Sequence, residues 1–207
     1  MKTPILYSFR RCPYCIRAHM ALKQSAVKIE LREVKLGQFP SELSSISSAG
    51  TVPVLQLSDG QVISESWEIV QWALVQNDPE QWLNQNFDDS LIQRNDFFFK
   101  KHLDHYKYAS RFPEHKQVHY RQLAEQFIVE IAQNLKHQDY LLGNKISVAD
   151  IGIFPFIRQF SLVEPQWFVE TYPNVQRWLA GFIDSELFQH IFKKQNLWQR
   201  DNKIIYI

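Results

Sequence analysis

Through the first 76 residues the apolar positions switch between two periods. ILYSF (5–9) is a short unbroken apolar run of strand length, and IELREVKL (29–36) alternates as a half-buried strand does. Between them PYCIRAHMALKQS carries a helical pattern. Pro13 opens it, where a missing N–H costs nothing in a first helical turn. PSELSSISS predicts a weak short helix. TVPVLQLSDGQVI predicts two strands joined at Asp59-Gly60, a strong tight-turn pair. ESWEIVQWALVQ returns to the helical period. The order is βαβ followed by αββα.

After Asn77-Asp78-Pro79 the strand signals nearly vanish. Helices are predicted over 89–110, 114–137, 148–162 and 174–194. The chain therefore divides into an α/β domain (1–76), a linker (77–88) and an all-α helical domain (89–207). One helix start is unusually legible. In NKISVADIGIFP, Ser147 is the N-cap of a capping box closed by Asp150, Ile146 and Ile151 occupy the positions of a hydrophobic staple, and Pro155 falls inside the helix. No internal repeat or low-complexity tract is present.

Composition narrows the function. Hydrophobic residues make up 45% of the 207 and charged residues 22%, the balance of a globular protein. A net charge of +1 provides no field for nucleic acid or an anionic membrane. No apolar run approaches the roughly 20 residues of a membrane span. MKTPILYSFRRC has neither a signal-peptide core nor a cleavage site, so a reducing cytoplasm is expected. There, Cys-x-x-Cys is more often catalytic or metal-binding than a structural staple.

Cys12 and Cys15 are the only cysteines. With His115 and His119 they spell a Cys₂His₂ set. A compact zinc module separates its ligand pairs by roughly a dozen residues, whereas about a hundred intervene here. His102 and His105 offer no better case, and no metal is expected. Two inert core thiols are the plainer alternative, but Cys12 precedes Pro13 at a helix mouth and lies off the apolar stripe. A thiol there faces unpaired N–H groups and the positive end of the helix dipole, with Arg10 and Arg11 beside it. Such settings lower a thiol pKa from about 8.5 to roughly 3.5–7.5. Cys12 is then the nucleophile. Cys15, one turn on, is the resolving thiol and is expected to keep its ordinary acidity inside the helix.

Two more stretches converge on this end of the domain. In TVPVL, Pro53 cannot donate to a ladder and belongs at an edge, a first position or a bend. A cis Val52–Pro53 bond would leave the Val52 backbone to pair with an extended peptide, and a trans proline at a strand start is the alternative. In SES (64–66), Ser64 or Ser66 could cap the next helix, and Glu65 suits its dipole. The helix N-terminus and the Ser66 hydroxyl could equally bind a carboxylate, and Glu65 an ammonium. A γ-glutamyl group carries both.

Taken together, the βαβ–αββα order resembles the thioredoxin fold, CPYC resembles a glutaredoxin active site, and TVPVL and ESWEIVQWA resemble the glutathione-binding strand and helix of glutathione transferases. The helical half, with SVADI, resembles the transferase C-terminal domain. The chain is similar to cysteine-type transferases of the omega-like class and to two-domain bacterial glutaredoxins. That resemblance implies a thioredoxin-like domain followed by an all-helical one. It also implies glutathione as cosubstrate, with Cys12 and Cys15 catalytic, the Val52 backbone pairing with the cysteinyl unit, Pro53 beside it in the glutathione-binding site, and Glu65 and Ser66 holding the γ-glutamyl end. The second substrate would be a small electrophile or a glutathionylated thiol. An acceptor site between the domains is expected, walled by Phe98, His102, Tyr106 and Tyr108. A homodimer is compatible with the family, and neither nucleic acid nor membrane is an expected partner. Two departures stand out. Phe39 occupies the place where omega-like enzymes tend to carry a glycyl-binding Lys, for which Lys35 could substitute. Omega enzymes also usually lack the second cysteine, so Cys15 tilts the chemistry toward disulfide exchange. The alternatives are a Tyr- or Ser-type conjugating transferase, with Tyr7 as the candidate, and a non-catalytic interaction protein of the same fold.

Overall fold

The computed structural model describes residues 3–83 and 87–207. The chain runs β1 (Ile5–Ser8), α1 (Pro13–Gln24), β2 (Glu30–Glu33), α2 (Ser41–Ile46), β3 (Val54–Gln56), β4 (Val62–Ile63) and α3 (Ser66–Gln76). It continues through α4 (Ser90–Gln93), a π-helical stretch (Arg94–Phe99), α5 (Lys100–Lys107), α6 (Gln117–Asn134), α7 (Val148–Ser161), α8 (Pro165–Thr171) and α9 (Pro173–Ile183). It ends with α10 (Glu186–Ile191) and β5 (Ile205–Tyr206). Two compact units result: Met1–Gln81 with Ser185–Ile207, and Trp82–Asp184. Ser185–Ile207, which the sequence reading assigned to the helical domain, thus folds with the α/β unit. Residues 84–86 of the expected linker lie outside the described residues.

In the first unit the sheet order is β4-β3-β1-β2-β5. β1 and β2 are parallel, with Leu6 opposite Leu31, and the other pairings are antiparallel. The β3–β4 turn forms at Asp59-Gly60. Gly60 takes φ +95°, which a side chain would oppose, and the Asp59 carboxylate accepts the Gln61 N–H at 2.9 Å. α3 buries Ser66, Ile69, Val70, Ala73 and Leu74, the single face that helical spacing provides, and packs on α1. α1 buries Cys15 through Leu22 without a break, because α3 lies along one side and α10 along another. His19 is enclosed there, and burial, with His190 and Lys23 nearby, pushes its pKa down to about 3.

The fifth strand was not legible from sequence. β5 adds to the β2 edge with Ile205 opposite Leu31, and the Trp198 N–H donates to the Glu33 carbonyl at 2.8 Å. Farther along, Arg200 pairs with Glu42 of α2. A sheet edge that would otherwise show unpaired backbone groups is covered by the chain's own C-terminal segment.

Among the described residues every named element of the second unit is helical, with turns and loops between them. Its best-determined start is α7, where Ser147 and Asp150 form the expected capping box. Asp150 also accepts the Leu141 N–H at 2.9 Å and the Trp178 indole N–H at 2.8 Å. The helix expected over 174–194 is broken. α9 ends at Ile183, Ser185 caps a new helix by accepting the Phe188 N–H, and that helix belongs to the first unit. Tyr106, expected on an acceptor wall, is fully buried, and its hydroxyl donates to Glu164 at 2.6 Å while Arg121 donates to the same oxygen at 2.9 Å. It is a core residue of this unit. Phe98 and Tyr108 are exposed, and His102 is half-buried. Among the described residues no helix is long and apolar enough to cross a membrane.

Candidate active site

The loop after β1 folds so that the Cys12 N–H donates to the Phe9 carbonyl at 2.9 Å. Cys12 has extended backbone angles and is the N-cap of α1, with Pro13 at the first helical position. Its carbonyl takes the first helical bond, from Ile16 N–H at 2.9 Å. The thiol therefore sits at the positive end of α1, half-buried, while Cys15 is 1% exposed. The two cysteines are not joined in a disulfide. The Cys15 sulfur accepts the Phe9 N–H at 3.3 Å.

Burial pushes the Cys15 thiol well above its ordinary value. The neighbouring Cys12, by hydrogen bond and by charge, pushes the same way, and the Phe9 N–H and Ser8 only partly oppose it. This corrects the expectation of ordinary acidity for Cys15. The helix interior is dry, so the thiol keeps its proton and can offer it to the Cys12 sulfur. The two thiols are consequently unlike: one at the helix mouth and partly open, the other enclosed and protonated.

The Val52–Pro53 bond is cis. The Cys12 thiol lies 3.8 Å from the Val52 carbonyl oxygen, in donating geometry. Val52 and Val54 pack with Tyr7, Cys15, Val34 and Leu43, and Cys12, Phe9 and Phe39 lean on this cluster. The structure therefore brings Cys12, Cys15, Val52 and Pro53 together. Phe39 is part of that apolar floor. Lys35 is exposed in a tight turn that Gly37 closes at φ +78°.

Glu65, rather than either serine, is the N-cap of α3, and no side chain caps the helix. Glu65 is exposed, whereas Ser66, the first helical residue, is 3% exposed. Ser66 is tied to α1 by Arg17, whose Nε and Nη2 donate to the Ser66 hydroxyl oxygen at 3.0 and 2.8 Å. Arg17 is itself 1% exposed. Sequence reasoning passed over it, although an arginine amid the apolar run IRAHMAL was the available signal.

Tyr7 is 1% exposed, and its hydroxyl accepts from Arg32 at 2.8 Å. Burial raises its pKa, and Arg32 offsets this in part. Arg32 is also bonded to Glu30 and lies over the Trp198 ring at 4.2 Å. The two arginines before Cys12 are engaged as well. Arg10 donates to the Phe192 carbonyl at 3.2 Å and lies over its ring, while Arg11 lies over the Phe9 ring. The His115 and His119 rings lie against each other at a tilt of 37° in the second unit. Among the described residues no group of three or more His, Cys, Asp or Glu side chains is arranged to hold a metal ion.

A thioredoxin-type sheet with a cis-proline loop against the mouth of α1, joined in one chain to a helical unit, is the two-domain architecture of glutathione transferases. The glutathione S-transferase N-terminal domain matches residues 6–82, and the C-terminal domain of the same family matches residues 81–181. The chain belongs to the glutathione transferase superfamily and is a transferase-like enzyme. It is 24% identical to glutathione S-transferase omega-1 of Rattus norvegicus over 183 residues, spanning 84% of this chain and 74% of the rat protein. Among solved structures it is similar to BphK, a bacterial transferase, with 26% identity and a TM-score of 0.75 over 91% of this chain and 97% of that one. A Pseudomonas fluorescens family member with two glutathione molecules bound superposes with a TM-score of 0.73 at 21% identity, over 92% of each chain.

Proposed function

We propose that this protein is an omega-like, glutathione-dependent thiol transferase with Cys12 as its nucleophile. The observation that carries the reading is the inequality of the two thiols: Cys12 half-open at the mouth of α1 against the Val52 carbonyl, Cys15 enclosed and protonated behind it. In the first step the Cys12 thiolate attacks the glutathione sulfur of a glutathionylated substrate. The substrate's S–S bond breaks, its sulfur leaves as a thiolate and takes up a proton, and Cys12 is left in a mixed disulfide with glutathione. A second glutathione thiolate then attacks that glutathione sulfur, releasing oxidised glutathione and restoring Cys12. Alternatively Cys15, after losing its proton, attacks the Cys12 sulfur and expels glutathione, leaving an internal disulfide. Its burial makes that route the slower one.

In this reading the Val52 backbone, beside cis-Pro53, pairs with the cysteinyl unit of glutathione. Glu65 takes the γ-glutamyl ammonium, and Ser66 with the first turn of α3 takes the carboxylate. A small electrophile is the other acceptor the same thiolate chemistry admits. A reducing cytoplasm suits it, because both thiols must be kept reduced. Cys12→Ser removes the nucleophile and should abolish reduction of a small glutathione mixed disulfide. Full activity in that variant would reject the assignment.

A further inference from the structure

We infer that His19 makes the docking of the C-terminal segment, Ser185–Ile207, conditional on a neutral imidazole, so that acid releases this segment from the rest of the first unit. His19 lies on α1, is 6% exposed, and its Nε2 is buried with no hydrogen-bond partner. α10, the helix of the C-terminal segment, packs across α1. A neutral ring presents a bare lone pair there at modest cost. A protonated ring must present an N–H and a full charge, with no acceptor to meet either. The neighbours Ala18, Met20, Ala21 and Leu22 are apolar and fully enclosed, so packing alone asks for no titratable group at this position.

The surrounding charges do not rescue a protonated ring. α1 carries Arg17, which Ser66 engages, and Lys23. α3 carries Glu68, and α10 carries Glu186 and His190, with Lys193 and Lys194 just beyond. In the sheet, Glu30 is bonded to Arg32, and Glu33 to the Arg10 N–H. Of all these, only His190 and Lys23 bear on His19, and both are basic. His190 is itself acted on by Lys23 and Lys193, so charging it adds repulsion of the same sign between α10 and α1. Burial, the largest influence, holds the His19 pKa at about 3 while the segment is docked, and release returns it to its ordinary value of 6.5. The released form therefore binds the proton more tightly. Docking is at full strength above 6.5 and weakens as pH falls toward about 3.

Release undoes three contacts. The Arg10 side chain donates to the Phe192 carbonyl at 3.2 Å, the Trp198 N–H donates to the Glu33 carbonyl at 2.8 Å, and β5 covers the β2 edge. Arg10 stands just ahead of Arg11 and Cys12, so the loop that carries the nucleophile loses an anchor, and β2 becomes an open edge. The segment begins where α9 has ended and Ser185 caps α10, so it can lift without unwinding α9.

Amide hydrogen exchange followed by NMR, corrected for the intrinsic pH dependence of exchange, reads the opening of α10. At about pH 7.5 the α10 amides should be less protected than those of β1, because they exchange by an opening of their own while β1 opens only with the whole unit. Between there and about pH 5.5 the opening of α10 should grow roughly tenfold, as uptake of one proton at an ordinary histidine requires. His19→Gln keeps a planar polar side chain that does not titrate, and should lose most of this growth. Equal protection of α10 and β1, a wild-type change under about twofold, or the full tenfold change in His19→Gln would overturn the inference. Should the variant fail to fold, the wild-type ring decides. Its carbon-bound proton resonances should hold their neutral positions in the docked protein down to about pH 5.5. A ring that titrates at its ordinary value while α10 stays protected refutes the proposal.

Discussion

Replacing Asp150 with alanine should be among the most damaging single changes outside the active site. The carboxylate is fully buried and accepts from the Leu141 N–H at 2.9 Å, the Trp178 indole N–H at 2.8 Å, the Ser147 N–H at 2.9 Å and the Ser147 hydroxyl. The hydroxyl can rotate to a new partner, but the three N–H groups are fixed by the backbone and the indole ring. At about 1–3 kcal/mol for each of these three buried donors left without an acceptor, the loss is roughly 3–9 kcal/mol, the lower half applying if water enters the vacated space. A domain holds only about 5–15 kcal/mol in total. An asparagine side chain at this position would keep an oxygen for Leu141 and Trp178 but turn an NH₂ toward the Ser147 N–H, so Asp150→Asn should cost about half as much. Burial raises the Asp150 carboxyl pKa despite its donors, so the folded protein binds this proton more tightly than the unfolded chain. Its contribution is fully present below the unfolded value and is lost as pH rises through the folded one. The stability of wild type relative to Asp150→Asn should therefore increase on acidification through that window. Urea unfolding followed by far-ultraviolet circular dichroism at several pH values measures both effects. A cost within about 1 kcal/mol of zero for Asp150→Ala would refute the accounting of orphaned donors, and a gap that narrows on acidification would refute burial as the dominant influence on this carboxyl.

Three further outcomes bear on the chemistry. Brief alkylation near neutral pH should label Cys12 before Cys15, since burial holds the Cys15 proton in place; Cys15→Ser should retain deglutathionylation but lose much protein-disulfide reduction, where a tethered thiol outcompetes a diffusing one. Preferential label on Cys15 by mass spectrometry, or loss of both activities on mutating it, would reverse the assigned roles. Tyr7→Phe removes a hydroxyl that is buried and already engaged by Arg32, so it should lower stability by about 1 kcal/mol and leave turnover nearly intact. A major fall in conjugation with Cys12→Ser unaffected would favour a tyrosine-type mechanism.

What the sequence by itself determined was set within a few residues at a time. The Asp59-Gly60 turn, the Ser147–Asp150 box and the place of Cys12 ahead of Pro13 are short-range arrangements whose partners lie next to each other in the chain. The alternation of strand and helix through the first unit follows from the period of its apolar positions. The tertiary structure alone decided the rest, because it depends on surfaces brought together from far apart. β5 pairs with β2 across most of the chain's length, and two residues carry no strand signal until an open edge accepts them. Ser185 ends one helical pattern and caps another that packs on α1, which sequence periodicity runs together. Tyr106 shows the same aromatic pattern whether it faces a ligand or a core, and only the Glu164–Arg121 pair fixes which. Arg17 stands out within the apolar run IRAHMAL, but its partner appears only when α3 closes over α1 and leaves Ser66 to receive it. Burial also sets the acidity of Cys15, and burial belongs to packing rather than to neighbours in sequence.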